Sequence, residues 1–208
     1  MRIVAGRWGG RVLKAPVGDT TRPTLDAHRE TLFNVLVHRG FLNSDDGALR
    51  IFDLFAGTGA LSFEALSRCE NIENSRVVFF ENNKKAIEVI RQNAQNLMES
   101  KASAAIDIVS DLKFEKWPQR ILDRQKSAFC PVDLIFCDPP YKKNLVLKSL
   151  KFLESTLCRD NILSKQAILV VECEKEFSPS DLLKQLSRWT LEFEKSLGIT
   201  QFLILKRQ

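Results

Sequence analysis

Asp138-Pro139-Pro140-Tyr141 puts a carboxylate, a rigid backbone carbonyl and an aromatic face on consecutive residues. That set suits a reaction at the exocyclic amine of a nucleobase. Such a nitrogen is a poor nucleophile because its lone pair is delocalised into the ring, and attack on a methyl sulfonium requires it to become more tetrahedral. A carboxylate and a fixed carbonyl, both accepting N–H bonds, favour that geometry and stabilise the charge that develops. Two consecutive prolines hold the carbonyl in place at little entropic cost. Tyr141, the one tyrosine of the chain, offers a flat surface for a base turned out of its stack. The competing structural account of these four residues is a proline turn after a buried strand.

A second constellation lies in Asp53-Leu-Phe-Ala-Gly57-Thr-Gly59, with two glycines just before an expected helix. Glycine permits a tight turn there and lets a ligand approach helix N–H groups closely. The same two glycines could merely pack helix on strand. No Gly-Lys-Ser/Thr follows, which excludes a Walker loop. Ser62 occupies the third glycine position of the dinucleotide fingerprint. Glu81 stands 22 residues beyond Gly59. An acid there can take both hydroxyls of an adenosine ribose, in a nicotinamide dinucleotide or in S-adenosylmethionine alike. Asp111 is placed to reach an adenine amino group or, equally well, to cap a helix.

These acids are spaced by the elements that carry them. Arg50-Ile-Phe-Asp53, Arg76-Val-Val-Phe-Phe-Glu81, Ala105-Ile-Asp-Ile-Val-Ser-Asp111 and Val132-Asp-Leu-Ile-Phe-Cys-Asp138 each read as a strand ending near an acid. The acids are 28, 30 and 27 residues apart, the length of a βαβ unit. Ile87, Ile90, Ala94 and Leu97, then Val146, Leu150, Leu153 and Leu157, mark helices in the gaps. Residues 167–173 continue the strand rhythm. Residues 189–194 and 201–205 are separated by too few residues for a crossover helix, so they predict an antiparallel hairpin at the sheet edge. The expected fold is α/β: a Rossmann-like, doubly wound, mostly parallel sheet, with ligands bound outside the carboxyl ends of its strands. Residues 112–129 are the least readable connector.

Residues 1–40 lie outside this rhythm and are expected to form an appendage, a basic hairpin around Trp8-Gly9-Gly10 followed by a helix over Asp26 to His38. The main domain is expected over residues 41–208. Residues 1–40 carry seven of the basic groups against three acids, whereas the whole chain of 208 residues has a net charge of only +5. Concentrated positive charge suggests a polyanionic partner, with an arginine-rich solvated surface as the plain alternative. As an add-on, the hairpin is expected to contribute little to the main core. Five scattered cysteines without a C-x-x-C pair, and two histidines, argue against a disulfide framework and against a metal centre. The longest apolar runs, 77–80 and 167–171, are strand-sized, so neither a membrane span nor a signal peptide is expected.

Together Asp53-Leu-Phe-Ala-Gly-Thr-Gly and Asp138-Pro-Pro-Tyr resemble a class I S-adenosylmethionine-dependent amino-methyltransferase. The resemblance extends to Arg2-Ile-Val-Ala-Gly-Arg-Trp-Gly-Gly-Arg, Thr21-Arg-Pro-Thr, Arg29-Glu-Thr-Leu-Phe-Asn, Gly59-Ala-Leu-Ser-Phe-Glu-Ala-Leu-Ser-Arg, Val171-Glu-Cys-Glu and Leu205-Lys-Arg. Over essentially its whole length the chain is similar to the RsmD family, which methylates N2 of a guanine in 16S ribosomal RNA. The resemblance implies that Asp53, Phe55, Ala56, Gly57, Gly59, Glu81, Asn82 and Asp111 hold S-adenosylmethionine. It implies that Asp138, Pro139, Pro140 and Tyr141 hold the guanine amine. Arg7, Arg11, Arg22, Thr24, Arg29 and Lys142 are the expected RNA contacts, with capping and salt-bridging as the structural alternative. The expected setting is a cytoplasmic monomer acting on 16S rRNA or the assembling small ribosomal subunit, without membrane or metal. A DNA adenine or cytosine amino-methyltransferase and a non-catalytic RNA-binding assembly factor are the rival readings. A dehydrogenase is disfavoured by the missing third glycine.

Overall fold

The apolar runs become strands because most of their side chains are covered on both faces of the sheet, as expected for parallel strands. In Arg76–Phe80 and Arg50–Leu54 only the leading arginine is partly exposed. A computed structural model describes residues 1–16, 26–98, 104–110, 130–140, 145–158, 162–184 and 186–208. Arg22, Thr24, Asp111, Tyr141, Lys142 and the connector 112–129 lie outside the described residues.

The strands are β1 (Arg50–Leu54), β2 (Arg76–Phe80), β3 (Ala105–Val109), β4 (Val132–Cys137), β5 (Leu163–Glu174), β6 (Trp189–Leu197) and β7 (Thr200–Arg207). Among the described residues they form a seven-stranded sheet in the order β3-β2-β1-β4-β5-β7-β6. Pairing is parallel for β2 with β3, β1 with β4 and β4 with β5, and antiparallel for β5 with β7 and β6 with β7. This is the mixed, mostly parallel sheet expected, with the antiparallel hairpin at its edge. The chain order reverses between β1 and β4, the kind of point where open α/β sheets bind ligands.

The helices are α1 (Asp26–His38), α2 (Ala60–Arg68), α3 (Lys84–Leu97), α4 (Leu145–Phe152) and the short α5 (Pro179–Leu183). Asn83 caps α3 by accepting from the amides of Lys85 and Ala86, which satisfies donors the helix itself cannot. The expected helix through Leu157 changes character after Phe152, becoming a π-turn over Leu153–Leu157. Among the described residues, no helix is long and apolar enough to cross a membrane.

The chain divides into two compact units, residues 1–49 with 56–112, and residues 50–55 with 113–208. In the first, Ile3, Leu32, Phe33, Leu36, Phe63, Phe79 and Phe80 are buried. The expectation that the N-terminal hairpin adds little to a core is corrected here. Ile3, Trp8 and Leu13 are all buried, since one face of the segment is apolar and faces inward. Arg2 and Val12 form an isolated antiparallel bridge, with Gly10 N donating to Ile3 O and Ile3 N to Arg11 O. Much of the anchoring falls to Glu64 of α2. This fully buried carboxylate accepts from the amides of Val4 and Ala5 at 2.6 and 3.0 Å and from Arg68 Nε at 2.8 Å.

Candidate functional site

In the first unit the glycine turn and Glu81 form one hydrogen-bonded structure. Ala56 N donates to Phe80 O at 3.2 Å, Gly59 N to Ala56 O at 2.8 Å, and Phe63 N to Gly59 O at 2.9 Å, opening α2. Gly57 N donates to Glu81 Oε2 at 2.8 Å, while Glu81 Oε1 accepts from the amides of Asn82 and Asn83, both at 2.8 Å. The Asn82 contribution is thus its backbone amide. Glu81 is almost wholly buried.

The two glycines have different reasons to be glycine. Both adopt positive φ, 57° at Gly57 and 76° at Gly59. A Cβ on Gly59 would lie 2.8 Å from Phe63 Cε2 and 3.0 Å from Phe79 Cε1, so this glycine serves close helix-on-strand packing. Among the described residues, a Cβ on Gly57 would meet nothing within 4 Å. Open space therefore lies over the backbone beside Glu81. Phe55, just ahead of the turn, has φ 64° although it is not glycine, a conformation that costs energy and tends to occur at functional turns.

An adenosine ribose fits this arrangement. A carboxylate has about four acceptor sites, and three are taken by backbone amides, leaving capacity on Oε2 beside the open space. Among the described residues, none crowds the Gly57 backbone on the side where a Cβ would stand.

In the second unit three carboxylates gather at the carboxyl ends of three strands. Asp53 of β1 is paired in register with Phe136 of β4, and Phe136 with Val170 of β5. Side chains two residues apart on a strand share a face. Asp138, two beyond Phe136, and Glu172, two beyond Val170, therefore lie on the same face as Asp53. Asp53 and Glu172 are buried and Asp138 is half-buried. Burial, then the neighbouring Glu172, then Asp53, push the Asp138 carboxyl well above the ordinary carboxylate range. Asp138 N approaches Leu54 O at 3.5 Å, Pro139 is buried and Pro140 is exposed. The opposite face of these strands carries the thiols of Cys137 and Cys173. Burial pushes each up to about 12, so neither is a nucleophile near neutral pH.

Sequence reasoning placed Asp53 with the donor loop, but the register groups it with Asp138. Glu172 was missed as a site residue. Its signal was present in Val171-Glu-Cys-Glu, where an acid interrupts an apolar strand.

The expected RNA contacts fare unevenly. Arg29 is corrected: its side chain is fully buried, with Nη2 2.7 Å from Asp26 Oδ1 and 2.5 Å from Arg2 O, so it ties α1 to the hairpin. Arg7 donates to the carbonyls of Cys69 and Glu70 at 2.8 and 3.1 Å, and Arg11 to Asn96 O at 3.0 Å. Both remain exposed. A polar cavity of about 530 Å³ is lined by Arg7, Asp45, Asp46, Glu70 and Glu73, among others, and shares no residue with the Gly57–Glu81 turn.

The family described as Conserved hypothetical protein 95 matches residues 1–206. A similar relative is ribosomal RNA small subunit methyltransferase D of Haemophilus influenzae, 36% identical over 202 residues, covering 97% of this chain and 91% of that protein. The solved structure of yhhF from Escherichia coli superposes with a TM-score of 0.72 at 27% identity, covering 100% of this chain and 98% of that one. Magnesium protoporphyrin IX methyltransferase of Synechocystis, solved with S-adenosylmethionine bound, shares the fold at a TM-score of 0.57 and 15% identity, covering 87% of this chain and 80% of that one.

Proposed function

Because the chain belongs to the Conserved hypothetical protein 95 family, alongside ribosomal RNA small subunit methyltransferase D, we propose that it transfers a methyl group from S-adenosylmethionine to the exocyclic N2 of a guanine in 16S ribosomal RNA. The observation that carries the chemical half of this reading is Asp138 at the end of β4, backed by the buried ring of Pro139. Asp138 and the Pro139 carbonyl accept the two N–H bonds of the guanine amine and hold its lone pair out of conjugation. Pro140 fixes the direction of that carbonyl, and Tyr141 stacks on the base. Gly57 and the free capacity of Glu81, whose carboxylate the Asn82 amide holds in place, take the adenosine end of the donor, and Asp111 reaches its adenine. Bound there, the donor supplies an electrophilic methyl on a sulfonium.

The exposed Arg7 and Arg11, with Arg22, Thr24 and Lys142, contact RNA phosphate, and a ribosomal substrate implies action in the cytoplasm. The test is methylation of 16S RNA, assembling subunits and duplex DNA by the purified chain with isotopically labelled donor, followed by mass identification of the nucleoside. N2-methylguanosine from 16S RNA is the expected product. Label in adenine or cytosine of DNA, or no label in any substrate while the donor still binds, would contradict the reading.

A further inference from the structure

Glu172, two residues before the end of β5, lies on the same face as Asp138, one strand over at the usual spacing of about 4.8 Å. Asp53 lies on that face too, about 7 Å lower along the strand axis, given the rise per residue. Glu172 is buried, and its pairing partner on β7 is Phe202, itself buried. A second acid at this level is no requirement of the fold, because a buried parallel strand is normally apolar throughout. It must therefore be weighed for what it does to its neighbour.

We propose that Glu172 is a positioning residue for methyl transfer: it shares a proton with Asp138 and so presents the Asp138 carboxylate as the acceptor of the proton that the guanine amine gives up. The inference rests on the amine-methylation reading above and deepens it. The atoms balance as follows. N2 uses its lone pair to bond the methyl carbon, and the electrons of the breaking S–C bond stay on sulfur. The methylated nitrogen then carries one proton too many. That proton passes to Asp138, which accepts it readily because Glu172 and Asp53 face it, and it leaves to water after the product departs. With two carboxyls and one proton between them, the outward oxygen of Asp138 remains an acceptor in the resting state. The titratable groups around Asp138 among the described residues are Glu172 and Asp53 on its own face, with the Cys137 and Cys173 thiols on the other.

The test uses the full chain with ¹³C-labelled Asp and Glu carboxyls, the signals being assigned with Asp138→Asn and Glu172→Gln. In the wild type the two signals should follow the same pair of midpoints, as interacting sites do. Glu172→Gln should lower the Asp138 midpoint by about one unit, a tenfold change in proton affinity, and move the acid limb of the methylation rate profile down in pH. Glu172→Asp, which keeps the charge, should restore most of both. Independent single titrations in the wild type would overturn the proposal even if Glu172→Gln fails to fold. An unchanged midpoint and an unchanged acid limb in a folded Glu172→Gln would overturn it as well. If the wild type methylates no RNA amine, the functional reading fails, while the titrations still report whether the two carboxyls are coupled.

Discussion

Glu81 and Asp138 each stand one residue past the end of a parallel strand, yet their surroundings are opposite. Glu81 is surrounded by donors: three backbone amides converge on its two oxygens. Asp138 is surrounded by acids, with Glu172 and Asp53 on its face, and its carboxyl holds a proton far more tightly than an ordinary aspartate. The same side-chain chemistry at the same topological position is thus prepared for two tasks. Amides hold one carboxylate in place, ready to accept from a neutral hydroxyl. Repulsion and burial make the other a group whose protonation can change during a reaction.

The contrast is most sharply broken by removing the second carboxylate. Asp138→Ala should cut the single-turnover methylation rate by about 100-fold or more, since its contacts strengthen as charge develops on the amine. Rapid-quench measurement with saturating donor reads this directly, and near-normal turnover would make Asp138 structural. On the other side, the two glycines separate packing from ligand space. Gly59→Ala forces a Cβ against Phe63 and Phe79, and overpacking of this kind costs about 1–3 kcal/mol on top of the positive-φ penalty. Gly57→Ala incurs only the left-handed backbone penalty, roughly 1–2 kcal/mol, but fills the space over the turn. Thermal unfolding should therefore fall more for Gly59→Ala, while loss of donor binding in a well-folded protein should mark Gly57→Ala.

A smaller effect follows from the proton on Asp138. Its folded-state midpoint is raised, so its contribution to stability is fully present below the unfolded carboxylate pKa of about 3.9 and is lost as pH rises through the raised midpoint. Asp138→Asn has no such loss. Denaturant unfolding from pH 4 to 8 should show the variant gaining on the wild type as pH rises, and parallel curves would deny the crowding of charge.

The strands and the hairpin were legible because continuous apolar runs and the 27–30-residue spacing of acids leave little else for those segments to be. Gly57 and Glu81 were legible for the same reason, as they follow from the first strand–helix turn. Glu172 was not, because its role depends on which strand lies beside β4, and pairing between distant segments leaves no local mark. Arg29 was misread because charge in a sequence says nothing about burial. Here an arginine inside a helix finds Asp26 and the Arg2 carbonyl, and is sealed in. The N-terminal hairpin was misjudged in the same way, its anchor being Glu64, some sixty residues away.

The division of labour between the two strand ends is tested most directly by calorimetric titration of S-adenosylmethionine into the wild type, Glu81→Ala and Asp138→Ala. Glu81→Ala should weaken binding by about 1.5–3 kcal/mol, the scale of hydrogen bonds to a charged group. Asp138→Ala should leave the affinity nearly intact, because the contacts assigned to Asp138 are to the guanine amine and strengthen in the transition state. Equal losses in both variants, or a loss confined to Asp138→Ala, would contradict the account.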